Sequence, residues 1–215
     1  MANKSPLSIQ DILKSIERYN PEHLPTLENH VREQAKGNTY DLEVNLAVLK
    51  SYQFDPTLLN LEITNLILLK ALTNLPHTDF TLCKCLLLPA QMEDSTISDI
   101  IELADILEKC DFELFWSKIL STPDLIVNVN GFFDSIRKFV CNVINITFQN
   151  ISADYLKRLL GDINGNAFNH WVKKYGWKDE GDVIVITKQD ENIKTKNITE
   201  KIAFESLSNI MSKCL

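Results

Sequence analysis

Between Leu58 and Thr73 apolar side chains lie nearly all round a helical wheel. A helix of that kind is stable in water only with neighbours on several sides. The run also falls short of the ~20 apolar residues that a membrane span requires. The rest of the chain must therefore surround it, and the sequence punctuates the surrounding pieces clearly. Ser5-Pro6 reads as a cap and first-turn proline for a helix through Leu7, Ile12 and Ile16, which Asn20-Pro21 stops. Pro25 starts a second helix with Gly37 as its terminating residue, and Thr39 caps a third. Asp55-Pro56 opens the apolar segment itself. Thr78 or Asp79 caps a fifth helix to Leu88, Ser95 caps a sixth to Lys109, and Asp111 caps a seventh to Leu120. Several of these helices carry apolar residues on two faces, which predicts a layered HEAT-like helical-repeat stack rather than a four-helix bundle.

Composition agrees. With 6 Gly and 7 Pro in 215 residues, the chain lacks the turn material of an all-β sandwich, which needs a turn every ~8 to 12 residues. At 45% hydrophobic and 24% charged, it is not a disordered chain. The net charge of −7 divides unevenly. Residues 1–125 hold 10 basic and 19 acidic side chains, net −9, and residues 126–215 hold 12 and 10, net +2. Five of the six glycines fall in the second part. Two domains are expected, 1–125 helical and 126–215 different in kind, with the break near Thr122-Pro123. Solenoid faces serve as docking surfaces, and the acids Glu28, Glu33, Asp94, Asp99, Glu102, Asp105 and Glu108 would lie there or simply face solvent.

The second part reads as a winged helix. Phe132, Ile136, Phe139, Val140 and Val143 form one helical stripe. Ser152 caps a short helix that Gly161 closes. Phe168, Trp171, Val172 and Tyr175 make a third helix ending at Gly176. Trp177, a turn over Lys178 to Asp182 and the β-branched Val183 to Ile186 then predict a hairpin wing. Beyond a longer connection, 188–196, a strand at 197–202 and a terminal helix from Glu205 to Lys213 are expected. Three helices and a wing form a plan used for both DNA and protein docking.

Motifs of catalysis and metal binding are missing. There is no Gly-x-Gly-x-x-Gly, Gly-Lys-Ser/Thr, Gly-x-Ser-x-Gly or His-Glu-x-x-His. Cys83-Lys84-Cys85 resembles half a zinc site, but residues i and i+2 of a helix point roughly 200° apart. No metal or cofactor is expected, and the five cysteines read as free thiols, the first four buried. The third helix of the winged part presents Asn166, Asn169, His170, Lys173 and Lys174 but no arginine, so the commonest base-specific contact, Arg to guanine, is missing. Arg137, Lys138, Lys173 and Lys174 are the candidates for any contact with RNA. The opening residues show no basic stretch leading into an apolar one, and a cytoplasmic protein is the expectation.

A helical stack followed by a winged helix resembles the PCI-like modules of the proteasome lid, the signalosome and eukaryotic translation initiation factor 3. The runs Arg18-Tyr19-Asn20-Pro21-Glu22, Asn38 to Glu43, Leu69 to Cys85, Asp134 to Phe139 and Lys174-Tyr175-Gly176-Trp177 closely resemble the initiation-factor branch, from about Ile16 to Met211. That resemblance implies a non-catalytic scaffold subunit. It would dock on other subunits of the factor, chiefly subunit L, in the complex that binds the small ribosomal subunit. By analogy with winged-helix docking, Val183 and Val185 of the wing and Leu207 and Ile210 of the terminal helix are the candidate protein-binding residues. The rival reading is a free winged-helix regulator that binds nucleic acid.

Overall fold

The computed structural model describes residues 8–186. Ser5-Pro6, Cys214, Leu207, Ile210 and the expected strand and helix after residue 196 lie outside the described residues. Within them the fold is mainly α, a helical stack followed by a winged helix. Eight α-helices make the stack: α1 (Ile9–Lys14), α2 (Leu24–Gly37), α3 (Leu42–Phe54), α4 (Leu61–Leu72), α5 (Asp79–Cys85), α6 (Pro89–Met92), α7 (Ser95–Glu108) and α8 (Phe112–Ser121). The winged helix comprises α9 (Phe132–Thr147), β1 (Asn150–Ser152), α10 (Ala153–Leu159), α11 (Gly165–Lys174), β2 (Lys178–Asp179) and β3 (Val183–Val185).

The apolar segment behaves as its pattern demands. Helix α4 buries Ile63, Thr64 and every residue from Leu66 to Leu72, and it packs against α2, α5, α7 and α9. Its neighbours pair in sequence, α2 on α3 and α7 on α8. One continuous buried cluster runs from Ile12 in the stack to Ile186 in the wing.

Several helix ends differ from expectation, in two cases because a carboxylate outcompetes the hydroxyl nearby. Asp41, not Thr39, caps α3 by accepting from Val44 N–H at 3.2 Å. Asp94, not Ser95, caps α7 by accepting from Thr96 and Ile97 N–H. An ionised acceptor suits the positive end of a helix better than a hydroxyl does. The apolar segment also opens later than Asp55-Pro56 suggests. Asp55 caps a single 3-10 turn, Pro56–Leu58, and Asn60 caps α4. The first helix is shorter than expected. Ser8 caps it, and at Ser15 the backbone turns extended before a 3-10 turn, Ile16–Tyr19. Gly37 stays inside α2, and Asn38 takes the left-handed conformation, φ 52°, which Asn tolerates better than most residues. The fifth helix ends at Cys85 rather than Leu88.

The wing is a three-stranded antiparallel sheet in the order β1-β3-β2. Asn150 pairs with Val185 and Ser152 with Val183, while Lys178 pairs with Val185 on the other side. The sequence pattern does not predict strand β1. It has three residues and one buried side chain, Ile151, and so carries no alternating pattern of its own.

Candidate docking surfaces

Side chains from the stack and the winged helix lock together along one seam. The loop before α9 reaches back to the C-terminal end of α2, where Asn130 donates from its backbone to Ala35 O at 3.0 Å and from its side-chain Nδ2 to Lys36 O at 2.7 Å. Those carbonyls would otherwise lack helical partners. Trp116 of α8 donates from Nε1 to Leu159 O at 2.8 Å. Gly161, at φ +83°, lets the backbone pass directly against that indole, since a Cβ there would stand 2.7 Å from it.

Arg137 is engaged in this seam, although it also lines the basic recess on the other side of α9. Its Nε donates to Leu160 O at 3.1 Å, its Nη1 lies 3.3 Å from Asp134, and its guanidinium sits over the Trp116 and Phe133 rings at 5.2 and 5.9 Å. As an RNA contact it is therefore largely committed already. Arg158 bridges to Glu113 of α8 at 3.1 Å. Between these groups lies a cleft of about 440 Å³, with Leu120 and Phe133 on its rim.

A second recess, of about 510 Å³, opens on the other side of α9 and gathers Lys138 from α9 and His170 and Lys174 from α11, facing Asn38 at the end of α2. Lys138 and Lys174 therefore line one recess, whereas Lys173, exposed like both of them, does not. The Lys174 ammonium lies 4.5 Å above the Trp171 ring. Tyr175 stacks on the other side of the same region, against Trp171 and Trp177, and its hydroxyl donates to Lys138 O at 3.3 Å. Burial, and secondarily the neighbouring Cys141, pushes the Tyr175 phenol up to about 12.

In the wing, Val183 is 39% exposed and Val185 is half-buried, while Ile184 between them is fully buried. Their strand, β3, is the middle one of the sheet. Its backbone is already paired on both sides, so a strand added to this sheet would have to join β1 or β2. Only the side-chain face of Val183 stands free.

The cysteines do not all behave as the sequence suggests. Cys83 and Cys141 are buried, but Cys85 and Cys110 are exposed. Cys110 takes a left-handed backbone, φ 58°, just past α7. Cys83 and Cys85 do point to different surroundings, as i and i+2 of a helix must. Burial pushes the Cys83 and Cys141 thiols up to about 12, so both are protonated and poor nucleophiles at neutral pH. Among the described residues no three His, Cys, Asp or Glu side chains gather as a metal-binding group, and no helix is long and apolar enough to cross a membrane.

Much of the acidic surface of the stack is engaged within the molecule. Glu28 accepts from the Tyr52 hydroxyl, Asp94 caps α7, Glu102 pairs with Lys118, and Asp105 lies 3.8 Å from Lys84. Apolar groups stand out instead: Ile16 is 84% exposed, Phe54 71% and Leu120 75%. Tyr19 and Phe54 touch edge to face, with centroids 5.7 Å apart. Sequence reasoning does not single these residues out, because an exposed apolar residue at a helix end reads like any interior one.

Residues 58–197 match the model of the CSN8/PSMD8/EIF3K family. The chain is 61% identical over 215 residues to a protein of Aedes aegypti named eukaryotic translation initiation factor 3 subunit K, covering 100% of this chain and 97% of the relative. Proteins of the same name in Anopheles gambiae, at 60%, and Drosophila persimilis, at 57%, are covered to the same extent. Likeness of this degree along the whole length is far beyond what a shared helical architecture produces, and the chain belongs to the CSN8/PSMD8/EIF3K family.

Proposed function

We propose that the protein is a non-catalytic scaffold subunit of eukaryotic translation initiation factor 3, acting in the cytoplasm by protein-protein docking. The observation that carries this reading is the full-length likeness to chains named as subunit K of that factor. Its two parts, 1–125 and 126–215, form one docking body: the helical stack supplies exposed apolar groups and the winged helix supplies the wing. Subunit L is its chief partner, and the assembled factor binds the small (40S) ribosomal subunit during initiation. Val183 and Val185, with Leu207 and Ile210, are the protein-binding residues of this reading. Direct RNA contact is secondary and would fall on Lys138, Lys173 and Lys174, with Arg137 already engaged by Leu160 O and Asp134.

The rival is a free nucleic-acid-binding regulator. A net charge of −7 opposes the approach of a duplex. Sedimentation of cell extract separates the two. Co-migration with initiation factor 3 subunits and small ribosomal subunits is expected. Slow sedimentation as a free chain, together with salt-sensitive binding to duplex DNA, would refute the scaffold reading.

A further inference from the structure

The recess beside α9 is lined by three side chains of Lys or Arg, Arg137, Lys138 and Lys174, and by one carboxylate, Asp134. Lys138 and Lys174 converge there, and neither forms an ion pair among the described residues. Asp134, the carboxylate that lines the recess, is already held by Arg137 at 3.3 Å. Two lysines without counter-charge are thus brought together in a chain of net −7. Clustered like charges repel at a cost, and a ligand of opposite charge relieves it.

We propose that this recess holds an acidic segment of a protein partner, whose carboxylates pair with Lys138 and Lys174. The proposal rests on the docking reading above and names the chemistry of one of its contacts. One feature favours a peptide over single-stranded RNA. Single-stranded RNA binds through open aromatic platforms on which bases stack, but Trp171 is 5% exposed and lies beneath the Lys174 ammonium. The recess is also lined by Asn38, Ser135 and His170, hydrogen-bonding side chains that suit carboxylates and peptide groups as well as phosphate.

The test uses the full chain. Fluorescence anisotropy at low salt follows binding of a labelled peptide of alternating Glu and Ser, and separately of an oligouridine of equal charge. The peptide is expected to bind. Lys138→Glu/Lys174→Glu should weaken it by about tenfold or more, and should instead confer binding of a peptide of alternating Lys and Ser. Lys173→Glu, outside the recess, should change the affinity less than about twofold. Thermal unfolding checks the double variant, and Lys138→Ala/Lys174→Ala replaces it if it fails to fold. Tighter binding of oligouridine with the same dependence on the two lysines would overturn the proposal, as would absent peptide binding or binding indifferent to the variants. If the wild type assembles with initiation factor subunits but does not bind the peptide, the recess proposal alone falls. If the wild type does not assemble, the docking reading falls and this proposal with it.

Discussion

The helical stack engages several of its carboxylates in helix caps and cross-helix pairs, whereas the basic side chains Lys138, Lys173 and Lys174 of the winged helix stay unpaired among the described residues. In the stack Asp41, Asp55, Asp94 and Asp111 accept from backbone N–H groups at helix starts, and Glu102 and Asp105 pair with lysines across helices. In the winged helix Arg137, over the Trp116 ring, and Arg158, paired with Glu113, stitch the seam, but Lys138, Lys173 and Lys174 have no ion-pair partner among the described residues. Charge that satisfies a helix end stabilises the fold, and charge left on a surface is available to a partner. Both regions also keep charges without an ion-pair partner among the described residues, among them Lys36, Lys50 and Lys109 in the stack, but only in the winged helix do two such lysines, Lys138 and Lys174, line one recess.

The sharpest way to break this comparison is to ask whether the two regions unfold as one. Leu68 in α4 and Leu156 in α10 are both fully buried, so Leu68→Ala and Leu156→Ala should each cost about 2–5 kcal/mol. In urea denaturation both variants should shift one shared transition, because the core is continuous. Two separate transitions, each sensitive to one variant, would show that the seam does not couple the regions.

A smaller effect isolates the seam. Gly161→Ala meets both a left-handed backbone and the Trp116 indole, and should cost about 1–3 kcal/mol. Gly181 in the wing has φ +91° but open space where a Cβ would stand, so Gly181→Ala should cost only the backbone penalty of about 1 kcal/mol. Equal losses by thermal unfolding would remove the close approach at Trp116 from the account.

Within the stack, Lys70 is a fully buried amine whose side chain reaches Asn38 Oδ1 at 3.5 Å. Desolvation holds its pKa below the usual 10.5. In the window between that lowered value and about 10.5, the unfolded chain binds a proton that the folded one does not. Stability therefore falls as pH drops through the window and levels off below the folded pKa. Lys70→Met keeps the volume and removes the titration, so its stability relative to wild type should increase as pH falls through the window. A constant difference would mean that Lys70 reaches solvent. The smallest contrast compares spent with unspent charge: Asp111→Ala should cost about 1 kcal/mol through the lost cap, and Lys173→Ala should stay within about 0.5 kcal/mol.

What was legible in the sequence was local. Asp111 capping α8, Ser152 capping α10, the stripe of α9 and the all-round burial of α4 depend on residues within a turn or two of one another, so spacing alone reveals them. Strand β1 is not legible, because Ile151 becomes a strand residue only by pairing with Ile184 far along the chain. Arg137 looks like a surface cation because nothing local shows that its guanidinium meets Leu160 O and the Trp116 ring. Cys85 and Cys110 look buried among apolar neighbours in sequence, yet the helix turns Cys85 outward and the end of α7 exposes Cys110. The convergence of Lys138 and Lys174 likewise depends on how α9 and α11 cross. The signal at the seam is present but faint: Asn130-Gly131 and Gly37-Asn38 are paired turn residues, and they meet one another in space.

The most direct test of the scaffold reading is affinity purification of the tagged full-length chain from cells at near-physiological salt, with its partners identified by mass spectrometry. Recovery of the other initiation factor 3 subunits in stable proportion, with subunit L the last to be lost as salt is raised, is the predicted result. Recovery of the chain without those subunits, or with nucleic acid alone, would contradict it.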